Sequence, residues 1–96
     1  MDRITDKQLQ ALVDRLNRVT GSPATPYTRD GEKFTANIGN YHLSFAYGGV
    51  ELDRMVNTGG GVTCPLGSGH GTRRELWEKI HAYITGIEEG QKRAKV

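Results

Sequence analysis

The chain has 96 residues, 35% of them hydrophobic, with a mean hydropathy of −0.58 and a formal net charge of +2. That length accommodates one domain with one modest core and excludes a second, and no apolar run is long enough to span a bilayer. Setting aside Lys92, Arg93 and Lys95 leaves 10 basic against 11 acidic groups, so residues 1–90 form a nearly neutral body and 91–96 a basic tail, a distribution that weighs against a broad basic face for duplex nucleic acid.

The first element is a helix. Thr5-Asp6-Lys7-Gln8 has the form of a capping box, and Leu9, Leu12, Val13, Leu16 and Val19 follow at helical spacing on one face. Gly21 sits where a terminating glycine belongs, and Ser22-Pro23 with Thr25-Pro26 makes residues 20–26 an extended connector. From Tyr27 to Val56 the period changes to two. Phe34, Ala36 and Ile38 alternate with polar neighbours, as do Tyr41, Leu43, Phe45 and Tyr47, and Val50 and Leu52 begin a further strand. Asp30-Gly31, Gly39-Asn40 and Gly48-Gly49 read as the tight turns between them, with Tyr27 to Arg29 as an added edge. After a glycine-rich loop, Thr72-Arg73-Arg74-Glu75 forms a second capping box, and Leu76, Ile80, Ile84 and Ile87 mark the buried stripe of a second helix that ends near Gly86 or continues to Glu89. The expected fold is therefore α+β: an N-terminal helix, an antiparallel meander of three or four strands, a glycine-rich loop and a C-terminal helix.

The loop is the strongest functional signal. Residues 57–76 hold six glycines and a His-Gly-Thr-Arg-Arg run directly before the second helix. Free amides at a helix start, a threonine cap and two arginines favour an anion, and glycines allow close backbone approach to it. Cations in a first turn are disfavoured by the macrodipole at roughly 0.3–1 kcal/mol each, which an anion would offset. His70, Gly71, Thr72, Arg73 and Arg74 are the candidate ligand-binding residues, joined by Gly60 and Gly61 of the triple glycine and by Arg54 near the end of the third strand. The alternative is that Arg73 and Arg74 splay into water or pair with surface acids such as Glu75 and Glu78, and that the glycines only build a turn. Neither the dinucleotide fingerprint nor the P-loop pattern is present, since Gly67 to Gly71 reads G-x-G-x-G. Tyr27, Tyr41, Tyr47 and Trp77 offer ring faces for a base, with the core as the competing use of each.

No catalytic residue, metal site or cofactor is expected. Cys64 and His70 lie six positions apart, which says little about geometry, and Cys64, His70, His42 and His81 lack the spacing of a metal motif. The lone cysteine excludes an internal disulfide framework and fits a reducing compartment. Nothing at Met1 has the form of a secretory signal. Homo-oligomerisation is a route to further burial for so small a core.

The blocks Thr20-Gly-Ser-Pro23, Gly39-Asn-Tyr-His-Leu-Ser44, Gly48-Gly-Val-Glu-Leu52, Val56-Asn-Thr-Gly-Gly-Gly-Val62 and Gly69-His-Gly-Thr-Arg-Arg-Glu-Leu76 resemble a family of small accessory proteins of tailed bacteriophages and prophages. That resemblance implies action in the host bacterial cytoplasm and an accessory role directed at host components or defence signals. The leading expectation is a noncatalytic binding protein that sequesters a phosphate-bearing nucleotide or another anionic small molecule. The alternatives are a double-stranded nucleic-acid-binding protein, from the helix, three strands, helix order, and an inhibitor of a host protein.

Overall fold

The computed structural model describes residues 3–66 and 70–94. Helix α1 spans Asp6–Thr20. Its capping box is complete: the Gln8 amide donates to Thr5 Oγ1 at 3.1 Å, and the Thr5 amide donates to Gln8 Oε1 at 2.8 Å. Gly21 ends the helix in the left-handed conformation, φ 68°, with its N–H on the Arg18 carbonyl. Leu9, Leu12, Val13 and Leu16 are buried, as their spacing requires, and Val19 packs at the margin.

The strands are β1 (Tyr27–Asp30), β2 (Lys33–Ala36), β3 (Tyr41–Ala46), β4 (Gly49–Met55) and β5 (Val62–Thr63). They form two antiparallel sheets, a β1-β2 hairpin and a three-stranded β3-β4-β5 sheet, where alternation alone suggests one meander. The break falls at Asn37. Its side-chain amide donates to the Thr25 carbonyl at 3.0 Å, its Oδ1 accepts from Thr28 Oγ1 at 2.8 Å, and its backbone N–H donates to Pro26. These bonds tie the end of β2 to the incoming connector, and Ile38 is left exposed rather than in a core. Gly39-Asn40 is accordingly not a hairpin tip. The Gly39 amide donates to the Met55 carbonyl and the Met55 amide to the Asn40 carbonyl, so the pair extends the β3-β4 ladder.

The β3-β4 tip is Tyr47-Gly48, one residue earlier than the glycine pair suggests. Both residues have positive φ, 53° and 73°, as a type I′ turn demands. Gly49 serves a different purpose at the first position of β4. A Cβ there would lie 2.9 Å from the Gly71 carbonyl oxygen, so the glycine permits the close passage of the segment that leads into the second helix. Val50 and Gly71 exchange both backbone hydrogen bonds, at 3.0 and 3.1 Å.

Helix α2 spans Arg73–Ala94. It runs through Gly86 and Gly90, beyond the end suggested by the sequence, and carries Lys92 and Arg93 into its last turn, where the negative end of the macrodipole favours them. Leu76, Ile80 and Ile84 complete the core with Tyr41, Val50 and Leu52 of the sheet. Three contacts fix the direction of the helix pair: Arg73 with Asp6, Arg15 with Glu88 at 2.8 Å, and Gln91 Nε2 with the Val19 carbonyl at 2.8 Å. The first turns meet each other and the last turns meet each other, so α1 and α2 are parallel. Asn17 joins α1 to the sheet. Its Nδ2 donates to the Tyr41 carbonyl at 3.0 Å and its Oδ1 accepts from the Tyr41 amide at 2.9 Å, with Asn17 3% exposed.

Candidate anion groove

Parallel helices place both positive dipole ends on one side of the molecule, each equivalent to about half a unit charge. Between them lies a groove of about 650 Å³ lined by Arg3, Ile4, Thr5, Asp6, Gly48, Thr72, Arg73 and Arg74. Thr5 caps α1, and Thr72 caps α2 through Oγ1, which accepts from the Glu75 amide at 3.1 Å. The β3-β4 tip closes one side. Tyr47 is 98% exposed there, and its ring meets the His70 imidazole edge-on at 5.9 Å between centroids. Phe45, also exposed, lies under the Arg73 guanidinium at 5.9 Å.

The two arginines already have acidic neighbours. Arg73 Nε donates to Asp6, and this contact raises the guanidinium's proton affinity further. Arg74 stands 3.9 Å from Glu78 one turn along. Asp6 thus supplies some of the negative charge that two adjacent helix starts favour, while the guanidinium of Arg73 retains other N–H donors. Arg3 adds a third cation, one that the capping pattern gave no reason to select.

The remaining expected ligand residues go to different places. His70 Nε2 lies 3.2 Å from Glu51 Oε1 and 3.4 Å from Ser44 Oγ, behind the groove. Gly71 is engaged with Val50. Gly60 and Gly61 belong to a turn organised by Asn57, whose Oδ1 accepts from the amides of Gly59 and Gly61 at 3.0 and 2.9 Å. Gly60 has φ 94°, and the Tyr27 hydroxyl lies 3.1 Å from the position a Cβ would take. Gly61 bonds to Val56, whereas Gly71 bonds to Val50. Six strand positions separate the two sites, roughly 20 Å at the usual rise, so the triple glycine does not wrap the helix start. Arg54 pairs with Thr63 and lies over the Tyr41 ring at 5.5 Å, at the same far end of β4 as Gly61. Gly67 to Gly69 lie outside the described residues.

None of the four ring candidates lines the groove; Tyr47 comes nearest in the chain, next to the lining residue Gly48. Tyr41 is a core residue whose hydroxyl bonds to Tyr83 at 3.1 Å; burial, reinforced by that neighbour, pushes its phenol up to about 12. Trp77 packs on His81, with 4.1 Å between centroids, and Tyr27 stands over the Gly60 turn.

Beyond β4 the chain meets that strand again at two places. It pairs as β5 at Arg54 and Met55, leaves, and returns at Gly71 beside Val50. Beside these pairings is a cleft of about 160 Å³ whose walls include Glu51, Cys64, Leu66, His70 and Lys79. The oxygen or sulfur atoms of Glu51, Asp53 and Cys64 lie within 4.8 Å of one another. Burial pushes the Cys64 thiol up to about 11, helped by Glu51 and Asp53. Burial also raises Asp53, with Glu51 adding to the effect and the imidazoles of His42 and His70 opposing it. Sequence spacing points to neither the Cys64 and His70 pair nor the carboxylates, which come from alternate positions of β4.

Compared with protein-family models, curated proteins and solved structures, nothing matches the chain. Among the described residues no helix is long and apolar enough to cross a membrane.

Proposed function

We propose that the protein is a noncatalytic binding protein for a phosphate-bearing small molecule, a nucleotide in the first instance, held between the two helix starts. The observation that carries this reading is the parallel helix pair, which sets two first turns and Arg3, Arg73 and Arg74 around one groove. Its volume falls in the usual range for small-molecule sites, roughly 300–1,000 Å³. First-turn amides and guanidinium groups suit phosphate oxygens. Tyr47, next to the lining residue Gly48, is an exposed aromatic ring that a base could stack on. In a phage accessory role, such a protein would sequester a nucleotide defence signal in the host cytoplasm.

Calorimetric titration of nucleotides into the wild type and the Arg73→Ala/Arg74→Ala variant tests the assignment. Weakened binding with an intact fold is expected, and unchanged affinity would sink it. Duplex RNA is the second reading, supported by two helices on one face of an antiparallel sheet with arginines at the second helix start. Steep salt dependence of duplex binding, without mononucleotide binding, would favour it.

A further inference from the structure

The pairing of β5 with β4, and of Gly71 with Val50, brings the Cys64 thiol and the His70 imidazole to two carboxylates of β4. We propose that Glu51, Asp53 and Cys64 form a binding site for a zinc-type divalent cation, with His70 hydrogen-bonded to Glu51 as the residue that positions its carboxylate.

Three observations converge on this site. The three donor atoms lie within 4.8 Å of one another. Tetrahedral zinc, with bonds of about 2.0–2.3 Å, sets its ligands roughly 3.3–3.8 Å apart, so side-chain adjustment of about 1 Å closes the set. Asp53 is 8% exposed, which separates the group from an ordinary solvated acidic patch. Finally, two of the three donors, Glu51 and Cys64, border a cleft of about 160 Å³ together with His70.

Local structure explains how the set forms. Glu51 and Asp53 are alternate residues of β4, so both project from the sheet face opposite the helix-facing Val50 and Leu52. His42 and Ser44 stand directly across from Asp53 and Glu51 on β3. The pairing of Gly71 with Val50 holds His70 against Glu51, 3.2 Å away. A hydrogen-bonded carboxylate is the usual arrangement for a metal ligand, and loss of such an outer partner typically costs about 10–100-fold in affinity.

The donor chemistry selects the ion. A thiolate with two carboxylates suits zinc, cobalt or a similar transition metal better than magnesium or calcium, which take all-oxygen sets. Binding displaces the thiol proton to solvent, leaving a thiolate–metal bond. The site is separate from the groove between the helix starts, so its fate does not depend on nucleotide binding.

The test is titration of the metal-stripped full chain with Co²⁺, read by absorbance, followed by displacement with Zn²⁺. The expected result is a thiolate-to-cobalt charge-transfer band with tetrahedral visible bands, both erased by Zn²⁺. Cys64→Ser should remove the charge-transfer band, Glu51→Gln and Asp53→Asn should each weaken Zn²⁺ affinity at least tenfold, and His70→Ala should weaken affinity while retaining the band. Arg73→Ala/Arg74→Ala should bind cobalt as the wild type does. Circular dichroism of each stripped variant checks its fold, and Glu51→Gln, at a half-buried position, keeps the test open if Cys64→Ser does not fold. Absence of a charge-transfer band in the wild type, or Zn²⁺ affinity unchanged in folded Glu51→Gln and Asp53→Asn, would overturn the proposal.

Discussion

Asn17→Ala should be the most costly polar substitution in the chain. The Asn17 side chain satisfies both the N–H and the C=O of Tyr41, at 2.9 and 3.0 Å, in a buried position where α1 meets the outer edge of β3. Alanine removes both partners and admits no equivalent. A buried polar group left without its hydrogen bond costs about 1–3 kcal/mol, so the pair should cost about 2–6 kcal/mol. That is a large share of the roughly 5–15 kcal/mol by which a domain of this size is usually stable. At about 4–8 °C per kcal/mol, the midpoint should fall by at least about 8 °C in differential scanning calorimetry. The control is Gln10→Ala, which loses one exposed bond to Asp14 and should change stability by less than about 0.5 kcal/mol. An Asn17→Ala loss no larger than that of Gln10→Ala would refute the reasoning, because it would mean that the Tyr41 backbone does not depend on this clasp.

Gly86→Ala should stabilise the protein by about 1 kcal/mol in urea denaturation, since Gly86 is an exposed interior residue of α2 and an added Cβ meets nothing within 4 Å; a loss of stability would show that α2 does not continue through it. Tyr47→Gly should relieve the left-handed turn by roughly 1 kcal/mol and, at the same time, weaken nucleotide binding; unchanged affinity would remove Tyr47 from the site. Asp53 gives a pH signature. Its proton affinity is higher in the folded state, so its contribution is full below the ordinary value of 3.8 and is lost as pH rises through the raised folded value. Wild type should therefore gain on Asp53→Asn as pH falls from 7 to 4 in parallel urea titrations without metal, and a constant gap would contradict the shift.

The helices were largely legible from sequence because their information is local. Thr5, Gln8 and Gly21 do at the ends of α1 what their chemistry suggests, and Leu76, Ile80 and Ile84 point inward because helical spacing puts them on one stripe. Strand alternation was less informative. Phe34 and Ile38 alternate correctly yet remain exposed, because Asn37 turns β2 away from the main sheet. The groove was half legible: Thr72, Arg73 and Arg74 stand out as a capped, cationic helix start, but Arg3 and Thr5 join them only through the parallel packing of α1 and α2. Grouping Gly60 with Gly71 failed for a related reason. The two are neighbours in a glycine-rich stretch, whereas the ladder along β4 holds them near opposite ends. The same ladder brings Cys64 to Glu51 and Asp53, a meeting that no local spacing encodes.

The central claim is that two helix starts and their arginines hold a phosphate-bearing ligand. Thermal unfolding of the full chain in the presence of mononucleotides, cyclic nucleotides and short RNA or DNA duplexes, with recovery of each ligand afterwards, tests it most directly. A nucleotide present at 100 times its Kd should stabilise the native state by about 2.7 kcal/mol. The account predicts stabilisation by an intact nucleotide, diminished in Arg73→Ala/Arg74→Ala. No shift with any nucleotide at millimolar concentration, or an equal shift in the double variant, would contradict it.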